Sequence, residues 1–154
     1  MLSAEIKGRK ELSENEIGTI LIEAAIGVHR QLGPGLLEIV YEAILAYELS
    51  QRGLLVQRQV PITIHYKGIT FDEAFRADLL INGKVVVELK SLASINKAHR
   101  KQIQTYVNLS GLKLGYLLNF GEGLMKDGIV RAVNGLEEDG TYNGSCRAVE
   151  DAEE

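Results

Sequence analysis

The sequence has few of the residues that form covalent or metal cross-links. Its 154 residues include one cysteine, Cys146, two prolines and no tryptophan. A lone cysteine excludes an internal disulfide and a zinc site built from cysteines. No apolar run approaches the ~20 residues that cross a bilayer, and residues 1–16 are polar where a secretory signal needs an apolar core. We therefore expect a cytoplasmic protein with no membrane contact.

An excess of positive charge is also missing, because the formal net charge is −4. The acidic residues are concentrated at the C-terminus, where residues 137–154 carry seven of them against Arg147 alone. Length and ordinary composition predict one domain over residues 1–136, followed by a flexible acidic tail over residues 137–154. Residues 84–101 hold five basic side chains against Glu88 alone. Such a stretch attracts a polyanion or forms a solvated helix face, and charge alone favours the second reading.

Two helices are predicted at the start of the chain. Ser13 and Glu16 have the spacing of a capping box, and an apolar stripe with helical period follows until Gly33-Pro34-Gly35. A second helix is predicted over residues 36–52, with Gly53 placed to end it.

After the second helix, the spacing of apolar residues changes from the helical period of 3.6 to the strand period of 2. Strands are predicted over residues 60–66, 75–81 and 84–89, with the first near a sheet edge because Pro61 cannot donate a hydrogen bond, and the third in the centre. A helix over residues 95–110 and strands over residues 112–120 and 129–133 complete the pattern. The order of elements predicts an α+β arrangement, a mixed sheet flanked by helices.

Two charged residues stand in an otherwise apolar strand, and a third lies on the strand before it. Asp78 lies on the second strand, and Glu88 and Lys90 share one face of the third. Burial of a charge is costly without a partner, and two carboxylates beside a lysine are suited to a hard divalent cation. An ordinary Glu–Lys pair on a surface hairpin is the alternative reading.

The register of the Asn82-Gly83 hairpin decides between these readings. A two-residue loop would pair Ile81 with Lys84 and turn Asp78 away from Glu88. The three side chains converge only if the connection contains one more residue or a β-bulge, and we predict that offset.

The pattern D-x(9)-E-x-K resembles the signature of the PD-(D/E)XK nuclease superfamily. Residues 35–41, GLLEIVY, resemble the G-x-x-E-x-x-Y motif of one of its branches, the GxxExxY proteins. The resemblance spans roughly residues 15–135 and continues through Phe75-Arg76-Ala77-Asp78, Val87-Glu88-Leu89-Lys90, Gln102-x-x-x-Tyr106, residues 111–115 (GLKLG) and Asn119-Phe120.

This resemblance implies a restriction-endonuclease-like αβββαβ core and a site made by Glu38, Asp78, Glu88, Lys90 and Gln102. Asp78 and Glu88 would be ligands of Mg²⁺, for which Mn²⁺ can substitute, and Lys90 would support the attacking water. Glu38 would be an outer ligand or would hold water, and Gln102 would position the reacting groups. Without the resemblance, Glu38 reads as a first-turn glutamate favoured by the helix dipole. Tyr41 and Tyr106 are expected to pack, and His99 is a weaker candidate for contact with phosphate.

The leading functional hypothesis is therefore a Mg²⁺-dependent nuclease that hydrolyses phosphodiester bonds in DNA or RNA. The alternative is a non-catalytic module that binds nucleic acid or protein and has retained the nuclease fold. Specificity cannot be inferred from the sequence, and a homodimer is left open.

Overall fold

The computed structural model describes residues 11–137 of the chain. Predictions about residues 138–154, including the acidic tail and Cys146, lie outside this part. The described elements, in chain order, are α1 (Glu14–Leu32), α2 (Glu38–Gln51), β1 (Val56–Tyr66), β2 (Ile69–Ile81), β3 (Val85–Lys90), α3 (Lys97–Ser110), β4 (Leu114–Asn119), a 3₁₀ helix (Met125–Gly128) and β5 (Ile129–Val133).

The strands form one five-stranded sheet in the order β1-β2-β3-β4-β5. Strand β3 pairs antiparallel with β2 and parallel with β4, so the sheet is mixed and β3 is its centre. Strand β1, which contains Pro61, lies at one edge. The predicted α+β architecture and the predicted places of these two strands are confirmed.

Helix α1 forms where its capping box was predicted. The Ser13 hydroxyl accepts a hydrogen bond from the Glu16 N–H, and the Glu16 carboxylate accepts one from the Ser13 N–H, both at 3.2 Å. These bonds satisfy two backbone donors that a helix start otherwise leaves unpaired. The helix ends at Gly33, whose φ of 68° lies in the left-handed region.

Helices α2 and α3 each begin two residues later than predicted. The Tyr41 hydroxyl accepts a hydrogen bond from the Leu36 N–H and donates one to the Gly33 carbonyl, which keeps Leu36 in the preceding turn. At α3, Asn96 adopts extended backbone and caps the helix through His99. In both cases a local side-chain contact holds the residues before the helix out of it.

The β1–β2 hairpin is longer than predicted, and it contains an irregularity. The register shifts between Ile62 and Ile64, where Ile62 pairs with Phe75 but Ile64 pairs with Phe71. Strand β2 thus carries two additional residues at this point, and all of residues 69–74 are exposed, so this part of the strand lacks the alternation of buried and exposed positions on which the strand prediction depended.

Helices lie on both faces of the sheet. Helices α1 and α2 cover one face, and their core includes Leu21, Tyr41, Leu45, Val87, Leu89 and Phe120. Helix α3 covers the other face, and its core includes Phe75, Val86, Ile103, Val107 and Leu117. None of the helices in residues 11–137 has the length and apolar character that a bilayer crossing requires.

Candidate active site

The register of β2 and β3 brings Asp78 to Glu88. Ile81 pairs with Val85 and Leu79 pairs with Val87, so the connection is the three-residue segment 82–84. Asp78 is the next residue of β2 beyond this pairing, and its side chain hydrogen-bonds the Leu89 N–H and the Glu88 carboxyl of β3. The predicted additional residue in the turn is confirmed, and a two-residue connection is excluded.

The turn is held in this form by Asn82. Its φ is 52°, a left-handed conformation that asparagine tolerates better than most residues. Its side-chain oxygen accepts a hydrogen bond from the Leu55 N–H at 2.8 Å, and its own N–H donates to the Leu55 carbonyl at 2.8 Å. These two bonds fix the hairpin tip against the segment that enters β1.

Asp78 is a buried carboxylate with both oxygens occupied. It is 8% exposed, and its Oδ2 accepts a hydrogen bond from the Leu89 N–H at 2.8 Å. Its Oδ1 accepts one from the Gln59 amide at 3.1 Å. The side chain is therefore fixed in direction before any ligand arrives.

Glu88 lies half-buried beside Asp78, and its Oε2 has no hydrogen-bond partner within the described residues. Burial raises the pKa of Glu88 to about 8, with further contributions from the charge of Asp78 and a hydrogen bond with that side chain, while Lys90 opposes the shift. Two carboxyl groups so close together repel each other when both are ionised. A bound cation would relieve this repulsion, and the unpartnered oxygen has the chemistry of a ligand for one.

Lys90 supplies the positive charge of the site. It is half-buried at the end of β3, on the same face as Glu88. Its charge opposes the rise in the pKa of both Glu88 and Glu38. No carboxylate within residues 11–137 lies within ion-pair distance of its ammonium, which is left available for another anion.

Glu38 approaches this group from the first turn of α2. Although the residue as a whole is exposed, partial burial raises the pKa of its carboxyl, followed by the charge of Asp78, and Lys90 acts in the opposite direction. The Ser91 hydroxyl, next to Lys90, donates a hydrogen bond to the Leu36 carbonyl at 2.8 Å. This bond fastens the start of α2 to the end of β3.

Gln102 and Tyr106 of α3 border the site on its other side. The Gln102 side chain hydrogen-bonds the Tyr106 hydroxyl, which tends to lower the pKa of Tyr106. Burial and then the charge of Glu88 outweigh this effect and raise that pKa. Tyr106 stacks on Phe75 at a centroid distance of 3.8 Å. It packs as predicted, but it also lies close enough to Glu88 to sense its charge.

The carboxylates do not form a complete cage for a metal. Within residues 11–137 no group of three or more His, Cys, Asp or Glu side chains is arranged to hold an ion. Glu38 thus stands beside the Asp78–Glu88 pair, and its role as an outer ligand or water holder stays a prediction. One or two carboxylates are nevertheless the usual protein share of a Mg²⁺ site, which water and substrate phosphate complete.

Sequence reasoning missed Gln59. Its Nε2 lies 3.1 Å from Asp78 Oδ1 and 2.5 Å from Glu42 Oε1. Glu42 in turn accepts two hydrogen bonds from the Arg58 guanidinium, from Nε at 3.1 Å and from Nη2 at 2.9 Å. A polar residue on an edge strand gives no sequence signal of this kind.

Two other candidate residues have structural roles. Tyr41 stacks on Phe120 at 4.5 Å and holds the turn before α2. The Nδ1 atom of His99 accepts a hydrogen bond from the Asn96 N–H at 3.2 Å, as part of the helix cap.

The sheet, its flanking helices and the Asp78–Glu88–Lys90 arrangement define a restriction-endonuclease-like α+β domain. The family model of the PD-(D/E)XK nuclease superfamily matches residues 15–132. The chain therefore belongs to the PD-(D/E)XK nuclease superfamily.

The crystal structure of SSO0001 is similar to 88% of this chain and 77% of that chain, with a TM-score of 0.40 and 16% sequence identity. None of the curated proteins matches the sequence.

Proposed function

We propose that this protein is a Mg²⁺-dependent nuclease that hydrolyses phosphodiester bonds in DNA or RNA, with Mn²⁺ able to replace Mg²⁺. The observation that carries the proposal is the placement of three side chains. Asp78 and Glu88 stand side by side with an unpartnered oxygen, and Lys90 lies next to them without an ion pair in the described residues.

Each residue has a role that follows from its contacts. Asp78, fixed by Leu89 and Gln59, and Glu88 would hold the divalent ion. When bound, that ion supplies positive charge that lowers the barrier to attack on a phosphate. The Lys90 ammonium would orient the attacking water and neutralise charge on the phosphate oxygens.

The two remaining site residues would act at the border of the site. Glu38 would hold water at the entrance of the site. Gln102, whose side chain is oriented by Tyr106, would position the reacting groups.

We also propose that the chain belongs to the GxxExxY branch. Gly35 has a φ of 107°, which a side chain would strain, and Tyr41 fixes the turn by two hydrogen bonds. Between them, Glu38 begins α2 next to the site. The three motif residues thus have one joint effect, which is to deliver a carboxylate to the end of β3.

Helix α3 supports nucleic acid as the partner. Its first turns expose Lys97, Arg100 and Lys101, and the helix sequence contains no acidic residue. The same helix carries Gln102 at the edge of the site. A cationic face beside the reacting groups would follow a phosphate backbone. We further propose that residues 1–136 belong to one catalytic domain, and a homodimer is compatible with this arrangement.

The test is a cleavage assay with single-stranded, duplex and branched DNA and with RNA, in Mg²⁺ and in a chelator. We expect Asp78→Asn and Lys90→Ala to lower the rate by about 100-fold or more, because each removes a charge that acts on the reacting phosphate. Asp72→Asn is the matched control, since Asp72 is an exposed aspartate on the same strand. Cleavage by the two site variants at the rate of the control would refute the proposal.

The same experiment separates the nuclease from a non-catalytic module. Binding of nucleic acid without cleavage of any substrate in Mg²⁺ or Mn²⁺ would favour the module. Calorimetry with Mn²⁺ would support that outcome if it detected no binding at millimolar ion.

A further inference from the structure

Gln59 lies between two carboxylates, one of which belongs to the site. Its Nε2 donates to Asp78 Oδ1 at 3.1 Å and to Glu42 Oε1 at 2.5 Å. Glu42 is 3% exposed and Asp78 is 8% exposed, so both contacts are made by carboxyl groups that water scarcely reaches. One amide group therefore connects the ion pair of Arg58 and the buried Glu42 to the aspartate of β2.

The direction of the amide is determined by its partners. Ionised carboxylates only accept hydrogen bonds, so the NH₂ group, with two hydrogens, must face Glu42 and Asp78. The reversed amide would place its oxygen against two carboxylates. Glu42 itself is immobilised by two bonds from Arg58, at 3.1 and 2.9 Å. Glu42 is therefore a fixed acceptor for the Gln59 amide.

The backbone of β1 changes conformation at this residue. Gln59 has a φ of 53°, in the left-handed region that residues with a side chain seldom adopt. Its neighbours Arg58 and Val60 pair regularly with Leu79 and Ala77, so Gln59 stands directly opposite Asp78. Uncommon backbone conformations of this kind are concentrated where a side chain must be aimed at a site.

We infer that Gln59 is a positioning residue for Asp78. It holds Oδ1 while the Leu89 N–H holds Oδ2, so the carboxylate is oriented from two strands at once. Each oxygen keeps a further lone pair for a cation. Gln59 acts only through Asp78 and makes no contact with the reacting groups. The inference rests on the proposed nuclease function for its kinetic consequence, but not for its consequence for cation binding.

The test compares Gln59→Leu with Gln57→Leu. Gln57 is the matched control because it is the same residue type on the same strand and its side chain makes no hydrogen bond within the described residues. Loss of a group that orients a metal ligand usually lowers metal affinity or activity by about 10–100-fold. We expect Gln59→Leu to weaken Mn²⁺ binding, measured by calorimetry without substrate, by about 10-fold relative to Gln57→Leu. We expect kcat to fall by about 10–100-fold while KM for the nucleic acid stays within about 3-fold.

A second variant tests whether the effect of Gln59→Leu arises from a folding defect. Gln59→Asn keeps the amide and suits a left-handed backbone, but it is one methylene too short to contact both carboxylates. We expect it to lose Mn²⁺ affinity and kcat in the same direction as Gln59→Leu, at a temperature where its unfolding curve shows it fully folded. A role in backbone structure alone would leave this variant equal to the wild type.

The outcomes separate the two proposals. Equal Mn²⁺ affinity and equal kcat for the Gln59 and Gln57 variants would overturn the positioning role and leave the nuclease intact. A wild type that binds Mn²⁺ but cleaves nothing would overturn the nuclease, while weaker Mn²⁺ binding by the Gln59 variants would still support the positioning role. A wild type that neither binds Mn²⁺ nor cleaves would overturn both.

Discussion

The partly buried carboxyl of Glu88 lowers the stability of the fold when it is ionised, yet the same carboxyl is suited to a cation site. Burial and the neighbouring Asp78 raise its pKa to about 8, from an ordinary value of 4.5. Between these two pH values the folded protein binds a proton that the unfolded chain has released. The free energy of unfolding therefore decreases as the pH rises from about 4.5 to about 8.

Glu88→Gln should remove this dependence, because the amide does not ionise. Each unit of pKa shift corresponds to about 1.4 kcal/mol, and water that reaches a half-buried carboxyl reduces the full effect. We expect the metal-free variant to gain about 2 kcal/mol relative to the wild type at pH 8.5, and little at pH 5. Urea unfolding at both pH values measures the difference. Glu23→Gln, an exposed change in α1, is the control. A wild-type pH slope retained in Glu88→Gln would contradict the assignment.

Residues of the candidate site could be predicted where their residue type is unusual for the surrounding sequence. Glu88 and Lys90 are charges within an otherwise apolar strand, and such charges need a reason wherever they occur. The role of Gln59 was not predictable, since it depends on a left-handed backbone conformation and on the position of Glu42. The proximity of Tyr106 to Glu88 was missed for a related reason, because tyrosine in an amphipathic helix is equally typical of the core.

At the scale of elements, the β2–β3 turn decides whether the site exists. Asn82 has two functions there, a left-handed backbone and a side-chain acceptor for the Leu55 N–H. The sequence offered two-residue and three-residue connections, and the reason to prefer the second was the convergence of Asp78 and Glu88. Contacts between the turn and residue 55, which no local pattern contains, hold the longer connection in place.

Substitutions of Asn82 should separate the two functions. We expect Asn82→Ala to lose about 2–3 kcal/mol of stability, because it strains the backbone and leaves the Leu55 N–H without its acceptor. Asn82→Gly should lose less, because glycine tolerates the backbone but supplies no acceptor. Asn82→Asp should stay within about 1 kcal/mol of the wild type, since it keeps the acceptor. Denaturant unfolding ranks the three. If Asn82→Asp were as unstable as Asn82→Ala, the bond to Leu55 would have no part in the effect.

Element boundaries were less predictable than element types. The helices at the site begin at Glu38 and Lys97, two residues after the predicted starts. Strand β1 begins at Val56, four residues before its predicted start. Periodicity identifies what an element is, but its ends depend on single contacts such as those of Tyr41 and Asn96.

At the scale of the whole molecule, α3 must lie close to the sheet for the two sides of the site to meet. Gly115 of β4 permits this approach. A Cβ atom there would lie 2.4 Å from Val107 Cγ2 and 2.8 Å from Val86 Cγ1. Valine side chains have little freedom to move aside. The absence of a side chain at Gly115 therefore sets the distance between the helix and β3.

Gly115→Ala should push α3 outward. We expect a loss of about 2 kcal/mol from overpacking and a fall in nuclease rate, because Gln102 and Tyr106 move away from Glu88. Gly115→Ala with Val107→Ala should lose less than the sum of the single changes, since the second makes room for the first. Gly27→Ala is the control, because nothing lies within 4 Å of a Cβ at that position of α1. Simple additivity in the double variant would show that the clash with Val107 is not the cause.

The layered architecture followed from the sequence because it depends on the order and period of the elements. The change from period 3.6 to period 2 and back predicted helices on a mixed sheet, and β3 is central as its valine-rich sequence indicated. The packing distances between the layers could not be predicted from the sequence. They depend on pairs such as Gly115 and Val107, whose contact exists only in the folded chain.

The backbone of the edge strand β1 is interrupted at two positions. Pro61 has no N–H, Gln59 has a positive φ, and the Gln59 carbonyl accepts a hydrogen bond from Arg76 Nη1 at 3.4 Å. An exposed edge strand can pair with strands of other molecules and form fibres, and interruptions of this kind discourage such pairing. The backbone conformation that aims an amide toward Asp78 thus also interrupts this edge, which discourages aggregation through it.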